Sequence, residues 1–349
     1  MMKHKQNKEE ILSKISHMLY VNSRIPISTL VKTLGISHQT VSKYIKELEE
    51  KYMLKYTLDI DFSKLGFSEH RIIAIKLDMI PDKEKLIERI KSYPFVQNAY
   101  LGKGDFDVII HTLAPQNKNY TGWEYTMRIE LNRYKPKIES GTIDNFVEGF
   151  LPINKNMIKI NDKLTKNEKI ILSLLIENSR ISLKELVKQS KLTQMKVIYN
   201  IQKLKNDGII KNFTTIIQRP DKNFFLFFGV SIVPNEKHHD NFLKPFMSNI
   251  ILEEDKSNIT ADYSVIAGSF GHFDSIFFTC FRNGDLMYRR GPQLISKLWK
   301  EEYPRVGICM LTDILIGDWP FNSNRYLNWS KVLQNKLNKI DITKKYKII

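Results

Sequence analysis

The sequence predicts an α+β protein in which two winged helix-turn-helix domains alternate with two ferredoxin-like (βαββαβ) domains. Three observations predict it. The chain repeats itself, each repeat opens with three short amphipathic helices, and the positive charge rises and falls along the chain in step with the repeat.

The repeat is read first, because a missed repeat misassigns the fold. Asn22-Ser23-Arg24-Ile25 returns as Asn178-Ser179-Arg180-Ile181, an offset of 156. The same offset carries Leu30-Val31-Lys32 onto Leu186-Val187-Lys188, and Val41, Ile45 and Leu48 onto Val197, Ile201 and Leu204. Gly104-x-Phe106-Asp107 returns as Gly271-x-Phe273-Asp274 at an offset of 167, so the second copy has gained about eleven residues in between. An ordered series with apolar positions in register indicates duplication. It divides the chain into residues 1–67, 68–150, 151–222, 223–329 and a tail, 330–349; 349 residues fit two to four domains at roughly 100–200 residues each.

In the first segment, Ile11, Ile15, Met18 and Leu19 share one helical face. Leu30, Val31 and Leu34 stripe a second helix that stops at Gly35, and Ser37 caps a third that runs to Glu50. The extended stretch Leu54–Ile60 follows as a wing. The third segment repeats the plan with stronger starts. Thr165-x-x-Glu168 and Ser182-x-x-Glu185 are capping boxes, Thr193 caps the third helix and Gly208 ends it. Pro26 stands where Ser182 stands, a residue tolerated at a helix start.

The second and fourth segments read as β-α-β-β-α-β. Strands are expected at Arg71–Leu77, Val96–Leu101, Phe106–Thr112 and Ile138–Phe146, with helices at Asp82–Ser92 and Tyr120–Asn132. The second copy places strands near Phe225–Val233, Tyr263–Ala267, Ser275–Phe281 and Val306–Ile316, and helices near Asp240–Met247 and Asp285–Lys300. A linker is expected at Pro152–Asp162, and a helix with a frayed end in the tail.

The net charge of +16 is unevenly placed: +4, 0, +9, −2 and +5 in the five segments. Merely lysine-rich chains spread their surplus; alternation says that some modules meet a polyanion and others do not. Three short helices with a tight turn before the third are the helix-turn-helix plan, whose third helix enters a major groove. Opposite Val41, Ile45 and Leu48 lie Gln39, Lys43 and Lys46, flanked by Ser42 and Glu47, while His38, Gln39 and Thr40 fill the first turn. Gln can bond adenine bidentately, and Lys can bond guanine or a phosphate. The corresponding face of the second copy carries Met195, Tyr199 and Gln202, with Lys196, Asn200 and Lys203 at its sides and Gln194 at the helix start. Met195 suits thymine methyls, or else Met195 and Tyr199 pack on another part of the protein.

At these residues the chain resembles the Lrp/AsnC (feast/famine) family of transcriptional regulators. The resemblance rests on Asn22–Ile25, Leu34-Gly35-Ile36-Ser37, the entry Leu54–Tyr56, the hinge-like Asp61–Phe67 and the turn Gly104-Asp105-Phe106-Asp107. It implies that segments two and four are small-molecule regulation domains whose sheets pair, that dimers build larger rings, and that effectors, commonly amino acids, bind near the glycine-rich turn. The positions so implied are Gly102, Gly104 and Asp105 in the first copy and Gly271 and Asp274 in the second. Family members usually carry one copy, so here the pairing becomes intramolecular. His272 replaces the acidic residue at the Asp105 position. Both turns also read as plain hairpins that need a glycine with positive φ.

The expected function is therefore sequence-specific binding of double-stranded DNA to regulate transcription, modulated by a small-molecule effector. Half-sites would lie roughly 34–36 Å apart, one helical turn. No cofactor, metal or catalytic residue is expected. The rival is an enzyme: a few proteins with this domain plan are sirohaem decarboxylases, using His, Arg and Tyr around a tetrapyrrole. His238-His239, His272 and Arg289-Arg290 are the residues of that type in segment four, but adjacent histidines diverge and make a poor metal pair. No RNA-stacking aromatic motif, Walker loop or Ser/His/Asp constellation is visible. Cys280 and Cys309 make neither a disulfide framework nor a zinc pattern, the polar start carries no signal peptide, and the longest apolar run, Phe224–Val233, falls short of the ~20 residues that span a bilayer, so a cytoplasmic protein is expected.

Overall fold

The computed structural model of the chain describes residues 8–51, 54–79, 82–93, 95–115, 120–148, 151, 153, 155–217, 225–232, 261–273, 275–281 and 305–317. The helices are α1 (Lys8–Val21), α2 (Ile27–Leu34), α3 (His38–Lys51), α4 (Lys83–Ser92), α5 (Tyr120–Leu131), α6 (Lys155–Ile160), α7 (Lys166–Glu177), α8 (Leu183–Ser190) and α9 (Gln194–Asn206). The strands are β1 (Leu54–Ile60), β2 (Phe67–Lys76), β3 (Val96–Gly104), β4 (Val108–Pro115), β5 (Lys137–Glu148), β6 (Ile210–Ile217), β7 (Phe225–Ile232), β8 (Ala261–Gly271), β9 (Ser275–Phe281) and β10 (Arg305–Ile316). The helices expected near Asp240–Met247 and Asp285–Lys300, and the tail, lie outside the described residues.

Among the described residues, one compact unit gathers those up to Leu65 and those from Ile158 to Ile217, the other those from Gly66 to Met157 and from Phe225 to Gly317. In the first, Ile11, Ile15, Met18 and Leu19 are buried as their spacing requires, and so are Val41, Ile45 and Leu48 of α3 and Val197 and Leu204 of α9. The caps explain the boundaries. Gly35 takes φ +66° and its N–H bonds Val31 O, stopping α2 in the left-handed conformation that glycine adopts without strain. Thr165 and Glu168 form the full reciprocal box at α7. At α8 the box is half-made: Ser182 accepts from Glu185 N, but the Glu185 carboxylate accepts from Gln189 Nε2 instead.

The stretch Leu54–Ile60 is extended as expected, but it is not a free wing. β1 pairs antiparallel with β6, from Leu54↔Ile217 through Leu58↔Phe213, making a two-stranded sheet across the two copies. Backbone groups that a wing hairpin would satisfy locally are satisfied by the other repeat. Residues 152–162, expected to be a bare linker, include α6. Beside it the buried Asn161 donates from Nδ2 to Leu65 O (2.7 Å), while its Oδ1 accepts from Lys163 N and Leu164 N.

The second unit is a closed eight-stranded barrel, ordered β10-β3-β4-β2-β5-β8-β9-β7. Each copy contributes four consecutive strands in the ferredoxin-like order, β3-β4-β2-β5 and β8-β9-β7-β10. The seams are β5–β8 and β10–β3, so two open sheets remove each other's edges. On one face Ile73, Ile75, Ala99, Val108 and Ile110 pack under Leu86 and Ile90 of α4 and Met127 and Leu131 of α5. On the other, Tyr100, Phe106, Phe228, Phe273 and Phe278 form a chain of edge-on and tilted ring contacts. A polar cluster interrupts that second face. His70 Nε2 lies 2.7 Å from His111 Nε2, and Asn98 Nδ2 donates to His111 Nδ1 (2.9 Å). Asn98 can only donate from Nδ2, so the His111 proton sits on Nε2 and is donated to His70. Burial pushes both imidazoles well below their ordinary range, and at His111 the neighbouring His70 acts in the same direction.

Candidate nucleic-acid interface

The side of α3 opposite Val41 and Leu48 is open. His38, Gln39, Lys43 and Lys46 are exposed, and Thr40 and Ser42 are half-buried. Ser37 caps the helix, its Oγ accepting from Thr40 N (3.1 Å) and meeting Thr40 Oγ1 at 2.8 Å, so Thr40 is tied into the cap. Lys46 lies 3.5 Å from Glu50 in an exposed pair, whereas Lys43 makes no ion pair among the described residues. The arrangement is a row of long donors at the exposed start of a helix, suited to phosphates and base edges.

On α9 the outcome is divided. Gln194, Met195, Lys196 and Tyr199 are exposed, Met195 at 77 % and Tyr199 at 65 %. Asn200 is not at a side of the reading face. It is buried, its Nδ2 donating back to Lys196 O (2.7 Å), because it lies three residues after Val197 and four before Leu204, on the core stripe. Lys203 is half-buried and its Nζ sits 2.7 Å from Glu168 Oε1. Burial pushes the Glu168 carboxyl up, but hydrogen bonds from Lys203 and Thr165 outweigh it and hold the pKa below the usual value. Lys203 therefore ties α9 to α7 while its side chain stays 40 % exposed.

The repeated Asn-Ser-Arg-Ile motif is where the two helical modules meet. Ser23 Oγ and Ser179 Oγ are 2.6 Å apart and buried, at the sequence separation of 156 that relates the copies. Arg24 Nη1 donates to Ser179 O (3.0 Å) and Arg180 Nη1 to Ser23 O and Ile25 O. Each guanidinium also lies over an aromatic ring of a paired strand, Arg24 over Phe213 and Arg180 over Tyr56. Burial, then the neighbouring Arg180, lowers the pKa of Arg24. The strand register has the same symmetry: Thr57 faces Thr214 and Leu58 faces Phe213, so each residue meets the counterpart of its own neighbour. A pseudo-two-fold axis thus passes through the strand pair. The sequence carried a signal for these residues, their identity in both copies, but not the reason, which is contact with themselves across that axis.

The two glycine turns of the other unit are also related across the duplication. Asp105 N donates to Ile308 O (3.0 Å), and Asp105 Oδ2 accepts from Ile308 N (2.8 Å). In the second copy His272 N donates to Ser140 O (3.0 Å), and its Nδ1 lies 3.1 Å from Ser140 O and 3.3 Å from Ser140 N. The imidazole stands against the backbone of the other copy where the first copy uses the carboxylate. Gly104 has φ +140°, and a Cβ there would lie 2.6 Å from Ile308 O; one on Gly102 would meet Cys309 Sγ at 2.8 Å; one on Gly271, at φ +114°, would lie 2.8 Å from Ser140 O. These positions let the partner copy's strand approach closely. Asp274, like His238-His239 and Arg289-Arg290, lies outside the described residues. Among the described residues no group of three metal-ligating side chains converges, and no helix is long and apolar enough to cross a membrane.

A family model described as winged helix-turn-helix DNA-binding matches residues 8–51 and 164–211. The chain is similar to the HTH-type transcriptional regulator LrpA of Pyrococcus horikoshii, 39 % identical over 98 residues, which cover 28 % of this chain and 63 % of that regulator, so it spans less than two thirds of that relative's length. It is 32 % identical over 114 residues to an uncharacterized HTH-type transcriptional regulator of Pyrococcus abyssi, covering 30 % of this chain and 75 % of that one. Among solved structures, the siroheme decarboxylase NirDL in complex with an iron-uroporphyrin III analogue superposes with a TM-score of 0.55 at 16 % identity, over 95 % of this chain and all of that one. That likeness is one of fold.

Proposed function

The chain belongs to the Lrp/AsnC family of HTH-type transcriptional regulators, in tandem-duplicated form, and on that premise we propose that it binds double-stranded DNA sequence-specifically through α3 and α9. The observation that carries the proposal is the outward face of α3: His38, Gln39, Lys43 and Lys46 are exposed on a module locked to its mate through Ser23 and Ser179. In this reading the lysines neutralise phosphates and set affinity, while Gln39, Thr40 and Lys43, with Gln194, Met195, Lys196 and Tyr199 on α9, carry base preference. Asn200 and Lys203 are left out, since one lies in the core and the other is held by Glu168.

An effector such as an amino acid at Gly102, Gly104 and Asp105 would compete with Ile308, which holds the backbone N–H and the carboxylate Oδ2 of Asp105. An effector at Gly271 and Asp274 would likewise have to part Gly271 from the Ser140 carbonyl. The reading as a sirohaem-decarboxylase-like enzyme rests on shared fold alone; a Soret band on the purified protein would support it.

A salt titration of binding to duplex DNA tests the proposal. Neutralising Z phosphates gives a slope of about −0.9Z in log K against log salt. Lys43→Ala with Lys46→Ala should weaken binding and flatten the slope by about one unit for each phosphate no longer neutralised. A salt-independent affinity, or variants with unchanged slope and affinity, would overturn it.

A further inference from the structure

Resting on the DNA-binding reading, we infer that the chain recognises a directional, non-palindromic site: one half-site read by polar donors of α3, the other read through thymine methyl groups by Met195 and Tyr199 of α9. The argument begins with the pseudo-two-fold axis. α3 runs into β1 and α9 into β6, and these strands pair with a register symmetric about Thr57/Leu58 and Phe213/Thr214. Two third helices related this way approach a duplex as those of a symmetric dimer do, whose sites mirror the protein's symmetry and are palindromic.

The side chains do not share that symmetry. Residues that build the module are the same in both copies: Val41 and Val197, Ile45 and Ile201, Leu48 and Leu204. Positions on the open face all differ. Gln39 becomes Met195, Lys43 becomes Tyr199 and Lys46 becomes Gln202. Met195 and Tyr199 stand one turn apart, 77 % and 65 % exposed, and present apolar surface where α3 presents an amide and an ammonium. In the major groove the apolar feature of a base edge is the C5-methyl of thymine, while adenine N6/N7 and guanine O6/N7 suit Gln and Lys. The backbone geometry is two-fold and the chemistry is not, so the protein tells one end of its site from the other.

Selection of bound duplexes from random DNA by the full chain, followed by equilibrium binding, tests this. The selected site should have unlike halves, and duplexes made palindromic from either half should bind about tenfold or more weakly. Replacing thymine by deoxyuridine, which removes only the methyl, should weaken binding severalfold in one half and leave the other unchanged. Met195→Ala with Tyr199→Ala, both on the surface, should abolish that difference. Selection of a palindrome, equal binding of the palindromic duplexes, or a deoxyuridine effect that persists in the variant would overturn the inference while leaving DNA binding intact. Failure to enrich any sequence would overturn the DNA-reading proposal and the inference with it.

Discussion

Lowering the pH should destabilise the barrel through His111 and His70. Both imidazoles are held neutral on an apolar face, one donating to the other and His111 accepting from Asn98. In the unfolded chain each takes up a proton near its ordinary value of about 6.5. Below that pH the unfolded state binds protons that the folded state refuses, so stability is complete above about 6.5 and is lost as the pH falls. The loss approaches about 1.4 kcal/mol per pH unit per group, or about 2 kcal/mol for His111 at pH 5. His70 is only part-buried, so it adds at most as much again. For a unit of this size each kcal/mol moves Tm by about 2–4 °C, so the barrel transition should fall by at least about 4 °C between pH 7 and pH 5. Asp59, in the other unit, works in the opposite direction: burial raises it to about 6, so its folded form gains stability as the pH falls through that value. The contrast that isolates the pair is calorimetry of His70→Leu with His111→Phe, which installs the residues found at the matching register positions, Leu226 and Phe278. The variant should lose most of the acid sensitivity of the barrel transition. An equal fall in both proteins would refute the reasoning.

Two other substitutions test the backbone argument from opposite sides. Gly104→Ala combines φ +140° with a Cβ 2.6 Å from Ile308 O and should cost on the order of 1–3 kcal/mol, read as a lower Tm of the barrel transition; an unchanged Tm would show that the β3–β10 seam adjusts freely. Lys191 holds φ +57° at the position where the first copy has Gly35, so Lys191→Gly should stabilise the helical unit by about 0.5–1 kcal/mol in a denaturant titration, and a loss of stability would contradict the strain assigned there.

The helical modules were the most legible part of the chain because their determinants are local. A stripe such as Ile11, Ile15 and Leu19, a cap such as Thr193 and a stop such as Gly35 each act within a few residues. Contacts across the duplication were not legible in that way. Nothing near Leu54–Ile60 says that its partner is a strand about 156 residues on, and nothing near His70 points to His111 until the β2–β4 register is known. Lys203 looked outward because Glu168, its partner, lies 35 residues away. Asn200 is a different case. Its spacing from Val197 and Leu204 places it on the core side, and only the polarity of its amide argues for the surface.

The strand pair at the pseudo-two-fold axis has a consequence for how the molecule responds to dilution. A dimer assembled from separate chains comes apart as its concentration drops, and its occupancy of a site then falls roughly with the second power of that concentration. Here β1 and β6 are tied by a peptide chain, so their encounter costs the same entropy in a dilute solution as in a crowded one. The two helical modules therefore stay mated at any copy number.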